Sequence, residues 1–263
     1  MELDEAYANM AYIEDGESYP AKWVSEAQKF RDAMRGDGRA QLDVSYGSAP
    51  RQKFDVFLPS GDPKGLMVFV HGGFWHMLGK EDWSHMAKGA VAKGWAVCVP
   101  SYTLCPEARI AEITGEITQA VCLAAGTVAG PIALTGHSAG GHLVSRMLEV
   151  GRLPEAVASR LQHVVPISPV ADLRPMLKTS MNADFKLDMA LAEAESPVLM
   201  RDRVACPVTV WIGGAERPAF IEQARSLWEA WNVPHVIDPP RHHYDVVEPL
   251  CDADSEMLSV LLG

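Results

Sequence analysis

From residue 42 onward the apolar positions follow two patterns in succession. Leu42-Asp43-Val44-Ser45-Tyr46 alternates apolar and polar side chains, and so does Phe54-Asp55-Val56-Phe57-Leu58. Alternation is the period of a strand with one buried face, and the Gly/Pro-containing residues 47–50 lie between the two runs, so an antiparallel hairpin is predicted. Short continuous apolar runs follow at 66–70, 95–99, 132–135, 163–167 and 208–212, with a weaker one at 235–237. Runs without alternation suit strands buried on both faces. Helix-length stretches separate them at 82–93, 108–125, 139–149 and 219–231, and a last helix is expected at 246–261. A hairpin followed by alternating strand and helix predicts an α/β fold, a mostly parallel doubly wound sheet with an antiparallel pair at its start.

Two segments break that alternation. Residues 172–197 are polar and partly helical, and read as a short cap-like insertion over the C-terminal edge of the sheet, where ligands bind in such folds. Residues 1–41 read as an N-terminal flap. Residues 1–20 hold six acids and no Lys or Arg, and Trp23, Ala27, Phe30 and Met34 recur at helical spacing, which predicts a helix over 20–34. The flap either packs only or covers a pocket. The 263 residues together fit a single domain.

Composition narrows the function classes. Apolar types make up 48% and charged types 22%, values of an ordinary globular chain. Lys and Arg number 23 against 34 Asp and Glu, a formal charge of −11, which disfavours nucleic acid and anionic membranes as partners. No apolar run approaches the ~20 residues of a membrane span. The acidic N-terminus lacks the pattern of a signal peptide. The five cysteines at 98, 105, 122, 206 and 251 are scattered without Cys-x-x-Cys, and read as reduced, mostly buried thiols of a cytoplasmic protein.

The chemistry is carried by short motifs at strand ends. Gly136-His137-Ser138-Ala139-Gly140 follows the run at 132–135 and opens a helical stretch. That is the strand–turn–helix setting of a nucleophile elbow, in which small residues permit the sharp turn that lifts the Ser138 hydroxyl above the sheet. His71-Gly72-Gly73-Phe74-Trp75 follows the run at 66–70. Its backbone N–H groups at Gly73 and Phe74, with that of Ala139, are the expected oxyanion donors. His71 reads as a brace of this loop. An orienting acid and a histidine should follow in chain order. Glu216 is the first acid after the run at 208–212, with Asp238 as its competitor. His243 is the expected base, with His242 beside it as a rim residue. His137 and His142 read as packing or pocket-lining residues. Phe74, Trp75 and Tyr102 are candidates to hold an aromatic substrate, with core packing as their alternative. No phosphate-binding glycine loop, dinucleotide fingerprint or H-E-x-x-H spacing occurs, so neither a cofactor nor a metal is expected.

These residues resemble the α/β-hydrolase superfamily, and within it the kynurenine formamidase (arylformamidase) branch. The elbow and the His-Gly-Gly-Phe-Trp loop carry the superfamily likeness. The branch rests on Tyr46-Gly47, Asp55-Val56-Phe57, Asp172-Leu173-Arg174-Pro175-Met176-Leu177 with Asn182, Leu187 and Ser196-Pro197, Glu216-Arg217-Pro218-Ala219-Phe220 with Gln223, and His243-Tyr244-Asp245. The likeness covers nearly everything from residue 42 onward. Glu216 stands where many members have Asp, and a third loop glycine of lipase-like esterases is absent. The resemblance implies an α/β-hydrolase fold and hydrolysis of N-formyl-kynurenine to kynurenine and formate. The residues themselves reach only to acyl transfer to water through a serine. A small-acyl carboxylesterase or thioesterase would use the same residues. A hydrolase fold without activity, used for binding, is the remaining reading, although Ser138, Glu216, His243, Gly72 and Gly73 are all present. The expected partner is a small-molecule substrate, with a homodimer suggested by analogy of fold alone.

Overall fold

Successive residues of the central strands face opposite cores. Leu66, Val68 and Val70 lie in one hydrophobic cluster, and Met67 and Phe69 in the other. Ala96 and Cys98 are likewise separated from Val97 and Val99. This is the two-residue period of a strand covered on both faces, and it explains why the sequence shows unbroken apolar runs there.

The computed structural model describes residues 1–263. Its eight strands are β1 (Ala40–Ser45), β2 (Lys53–Phe57), β3 (Leu66–Val70), β4 (Ala96–Pro100), β5 (Ile132–His137), β6 (Leu161–Ile167), β7 (Val210–Gly213) and β8 (His235–Asp238). They form one sheet in the order β1-β2-β4-β3-β5-β6-β7-β8. β1 and β2 pair antiparallel, as do β2 and β4, and every other pair is parallel. The predicted hairpin and all six apolar runs are therefore strands. The helices are α1 (Asp4–Tyr7), α2 (Tyr19–Gly36), α3 (Lys80–Trp83), α4 (Lys88–Ala92), α5 (Ile110–Thr127), α6 (Ala139–Arg146), α7 (Glu155–Ala158), α8 (Asn182–Phe185), α9 (Met189–Glu195), α10 (Pro218–Trp231) and α11 (Glu256–Leu262). Residues of α5, α6 and α10 fill the larger core, and those of α2 and α11 the other. No helix is long and apolar enough to cross a membrane. All five cysteines are free; Cys98 and Cys105 are buried, and the other three are half-buried rather than buried.

Two predicted helices are broken, for local reasons. Over 82–93, Trp83 leaves helical geometry at φ −123°, and the Ser84 hydroxyl donates to the Lys80 carbonyl at 2.8 Å. A serine bonding back in this way competes with the helical ladder. At the C-terminus a 3₁₀ turn at Glu248–Cys251 precedes α11, which starts afresh where the Ser255 hydroxyl accepts the Leu258 N–H at 3.2 Å.

The first strands are tied to the helices by a buried charge cluster. A bulge between Gln41 and Val44 accompanies Asp43 at φ +58°, and the Asp43 N–H donates to Asp55 Oδ1 at 2.9 Å. The fully buried Asp55 also pairs with Arg31 of α2 and with Lys80 Nζ at 3.2 Å. Removing one partner of a buried pair strands the others without compensation. Asp55→Asn is expected to lower unfolding free energy by about 3 kcal/mol in urea titrations; an unchanged midpoint would show that the cluster contributes little.

Candidate active site

The candidate residues converge at the C-terminal ends of the parallel strands, where α/β sheets bind ligands. Ser138 follows β5, Glu216 lies three residues past β7, and His243 lies five past β8. Ser138 sits at φ +57° and ψ −115°, outside the ordinary basins of a side-chain-bearing residue. Its N–H donates to the Ile167 carbonyl at 2.8 Å, and its own carbonyl accepts the His142 N–H at 3.1 Å. A side chain at Gly140 has no room, because a Cβ there would lie 2.0 Å from the Val70 carbonyl oxygen. The elbow thus requires glycine where the helix crosses β3.

The loop after β3 lies against this elbow. Gly73, Phe74 and Trp75 all have positive φ, at +109°, +48° and +56°. The turn closes through the His76 and Met77 N–H groups, both 3.0 Å from the Gly73 carbonyl. The N–H groups of Gly73 and Phe74 find no backbone acceptor in the loop, and Ala139 is the first residue of α6, where N–H groups lack intrahelical partners. His71 braces the loop as expected: its ring Nδ1–H donates to the Gly72 carbonyl at 2.7 Å.

The structure joins His243 to Glu216 and leaves Asp238 apart. The His243 ring Nδ1 lies 2.6 Å from Glu216 Oε2, and both side chains are buried. Glu216 Oε1 accepts the Gly213 N–H at 3.0 Å and the Ser168 hydroxyl. Asp238, the competing acid, faces Arg241 at 3.4 Å. His242 is held by Tyr19 and its own loop: its Nε2 lies 3.1 Å from the Tyr19 hydroxyl, and its Nδ1 lies 3.1 Å from the Tyr244 N and 3.2 Å from Asp245 Oδ1. His137 donates from Nε2 to the His243 carbonyl at 2.8 Å. Ser138 makes no hydrogen bond to His243 here, a common state of ligand-free sites.

Ser138 and His243 open onto one cavity of about 500 Å³. Gly73 and Phe74 contribute to its wall, Met181 comes from the segment between β6 and β7, and Tyr7 to Ala11 come from the N-terminal segment. A more open groove of about 640 Å³ with charged walls, including Lys22, Glu26 and Lys88, contains neither Ser138 nor His243.

Two expectations need correction. Trp75 does not line the cavity. It is wholly buried, edge-on to His142 at 5.1 Å and Phe185 at 5.5 Å, because positive φ at Phe74 and Trp75 turns the side chain into the core. Tyr102 is also wholly buried; it stacks on His71 at 4.3 Å and donates its hydroxyl to the His71 carbonyl at 3.1 Å. Both support the loop from behind.

One residue escaped sequence reasoning. Ser168 directly follows β6 at φ +48°, is fully buried, and donates its hydroxyl to Glu216. Its N–H bonds the Trp211 carbonyl at 2.7 Å, while Ile167 beside it accepts from Ser138. This dipeptide therefore ties the elbow to the acid. A polar residue closing the apolar run at 163–167 was the available signal.

Comparison with known proteins agrees with this architecture. Residues 67–225 match the family model of the alpha/beta hydrolase fold, and the chain belongs to that family of hydrolases. It is 26% identical to a kynurenine formamidase of Salmo salar, covering 91% of this chain and 86% of the relative, and 26% identical to one of Danio rerio over the same shares. Among solved structures, a Silicibacter protein provisionally described as a thioesterase is 57% identical over the whole of both chains, with a TM-score of 0.98. Esterase B from Lactobacillus rhamnosis, 18% identical, shares the fold at a TM-score of 0.65, covering 88% of this chain and 89% of that one.

Burial disfavours the charged form of three histidines packed around the site, His71, His137 and His142. Burial lowers His71 to about 4 and His142 to about 3, and pushes His137 well down. The unfolded chain takes up these protons near pH 6.5, but the folded chain does so only near the lowered values. Their contribution is complete above pH 6.5 and is lost as pH falls toward 4. Between pH 7 and 5 His71 is expected to cost about 2 kcal/mol of stability. In urea titrations His71→Gln should flatten that loss by this amount; an unchanged slope would contradict the assignment.

Proposed function

We propose that the chain is a serine hydrolase in which Ser138, His243 and Glu216 act as a triad, and that its substrate is a small aryl-formamide such as N-formyl-kynurenine. The observation that carries the reading is the His243 Nδ1–Glu216 bond of 2.6 Å beside a cavity that His243 shares with Ser138. With Nδ1 committed to the acid, Nε2 is the nitrogen left to take a proton. Ser138 Oγ attacks the formyl carbon while its proton passes to Nε2. The developing oxyanion accepts from the Ala139 N–H and from Gly73 or Phe74. His243 returns the proton to the leaving aryl amine as the C–N bond breaks. Water then attacks the formyl-Ser138 ester and releases formate.

Three features support the substrate. The cavity volume suits a small molecule. Trp23, Phe74 and Tyr244 in its wall offer aromatic surface for an aryl ring. The likeness to kynurenine formamidases runs along 91% of the chain. A second reading, cleavage of a small-acyl thioester or ester by the same residues, is favoured by the Silicibacter likeness at 57% identity.

Hydrolysis of N-formyl-kynurenine, acetyl-coenzyme A and p-nitrophenyl acetate by wild type separates the two. The formamide is expected to show the highest kcat/KM, and Ser138→Ala to lose three or more decades on it. Preference for the thioester would replace the substrate and keep the serine. Activity surviving in Ser138→Ala would contradict the triad.

A further inference from the structure

His243 borders two cavities. One is the 500 Å³ cavity that holds Ser138; the other, about 220 Å³, is lined by Glu216, Arg217, Tyr12 and His242. Asn9 is the one other residue that lines both. It is 6% exposed, and its Oδ1 is buried without a hydrogen-bond partner. The Nε of Arg217, in the smaller cavity, is also buried and unpartnered. Leaving a buried polar atom unsatisfied costs about 1–3 kcal/mol, so such an atom calls for an explanation.

The placement of Asn9 is built into the fold. The Arg217 guanidinium lies 3.6 Å from the centre of the Tyr12 ring, and its Nη2 donates to the Glu5 carbonyl at 3.1 Å. Gln223 donates to the Tyr7 hydroxyl at 2.8 Å, and the Tyr12 N–H donates to the Asn9 carbonyl at 2.9 Å. The residues on both sides of Asn9 are therefore anchored to the loop that carries Glu216 and to α10.

The two cavities differ in what they can hold. Tyr7, Met10, Phe74, Met77, Leu78 and Met181 give the larger one mostly apolar walls. A bound water needs two to four polar partners, and in the larger cavity these are the groups around Ser138 and His243, beside which the acyl group sits. The smaller cavity offers Asn9, Arg217 and His242, and its volume exceeds the ~30 Å³ share of one water several times over. Deacylation needs water at His243 while the larger cavity holds the acyl group.

We propose that the small polar cavity supplies the hydrolytic water and that Asn9 positions it against His243. The proposal rests on the serine reading above. The Asn9 carboxamide oxygen accepts one water hydrogen. The water oxygen bonds the acyl carbon of acyl-Ser138 while its other proton passes to His243 Nε2. Collapse breaks the bond to Ser138 Oγ, which takes that proton, and the free acid leaves. Asn9 has no part in acylation, which needs no water.

Stopped-flow hydrolysis of p-nitrophenyl acetate by the full-length protein tests this. Asn9→Leu is expected to release one equivalent of p-nitrophenol at a rate within twofold of wild-type acylation. A steady state at least tenfold slower than wild type should follow, with an acetyl adduct on Ser138 seen by intact mass. Asn9→Ser, which keeps a polar group, should recover most of the turnover. Fluorophosphonate labelling should proceed within twofold of wild type in both variants. A wild-type steady state in Asn9→Leu overturns the proposal, as does a parallel loss of acylation and turnover. Turnover without an acetyl adduct that also survives Ser138→Ala overturns the serine reading, and this role with it. If Asn9→Leu fails to fold by circular dichroism, Asn9→Ala takes its place under the same criteria.

Discussion

Glu216 organises the site by accepting three hydrogen bonds with a buried side chain. One oxygen takes the His243 Nδ1–H; the other takes the Gly213 N–H and the Ser168 hydroxyl. A buried carboxylate is tolerated only when its lone pairs are used in this way. The three donors come from the end of β7, the end of β6 and the loop after β8. The carboxylate therefore sets the spacing of three strand ends as well as the tautomer of one ring.

The same region holds unusual backbone conformations. Ser138, Ser168, Phe74 and Trp75 are non-glycine residues at positive φ. Each such residue costs on the order of 1–3 kcal/mol and persists only where its surroundings over-determine it. Here the surroundings can be named. Ile167 holds the Ser138 N–H, Trp211 holds that of Ser168, and the closed turn from Gly73 to Met77 holds the loop. The stable sheet and the two cores beneath it sustain a strained rim, in keeping with the placement of chemistry at strand ends in α/β folds. The N-terminal segment completes the cavity from above, so its packing onto Arg217 and Gln223 bears on the site as directly as the elbow does.

Much of this was legible in the sequence because the signals are local. A serine between small residues at a strand end, a Gly-Gly loop after a strand, and an acid and a histidine in the right chain order each declare themselves within a few residues. Period-two burial against continuous apolar runs revealed the sheet and its antiparallel start. What failed depends on three-dimensional context. Trp75 and Tyr102 look like cavity residues from their neighbours in sequence, but positive φ and the stacking of Tyr102 on His71 turn them into the core. Ser168 and Asn9 carry no motif, and meet Glu216 and His243 only through the fold. The broken helices at 82–93 and 246–261 reflect a serine back-bond and a fresh cap, which periodicity alone does not register.

The assignment of Glu216, rather than Asp238, as the partner of His243 is the claim on which the chemistry turns. The most direct measurement compares kcat/KM of Glu216→Gln and Asp238→Asn with wild type on the preferred substrate. Replacing the orienting acid by its amide in a serine triad costs about four decades. The account predicts a loss of at least three decades for Glu216→Gln and a change within about threefold for Asp238→Asn, whose side chain meets only Arg241 at the surface. A severe loss in Asp238→Asn with Glu216→Gln close to wild type would contradict it.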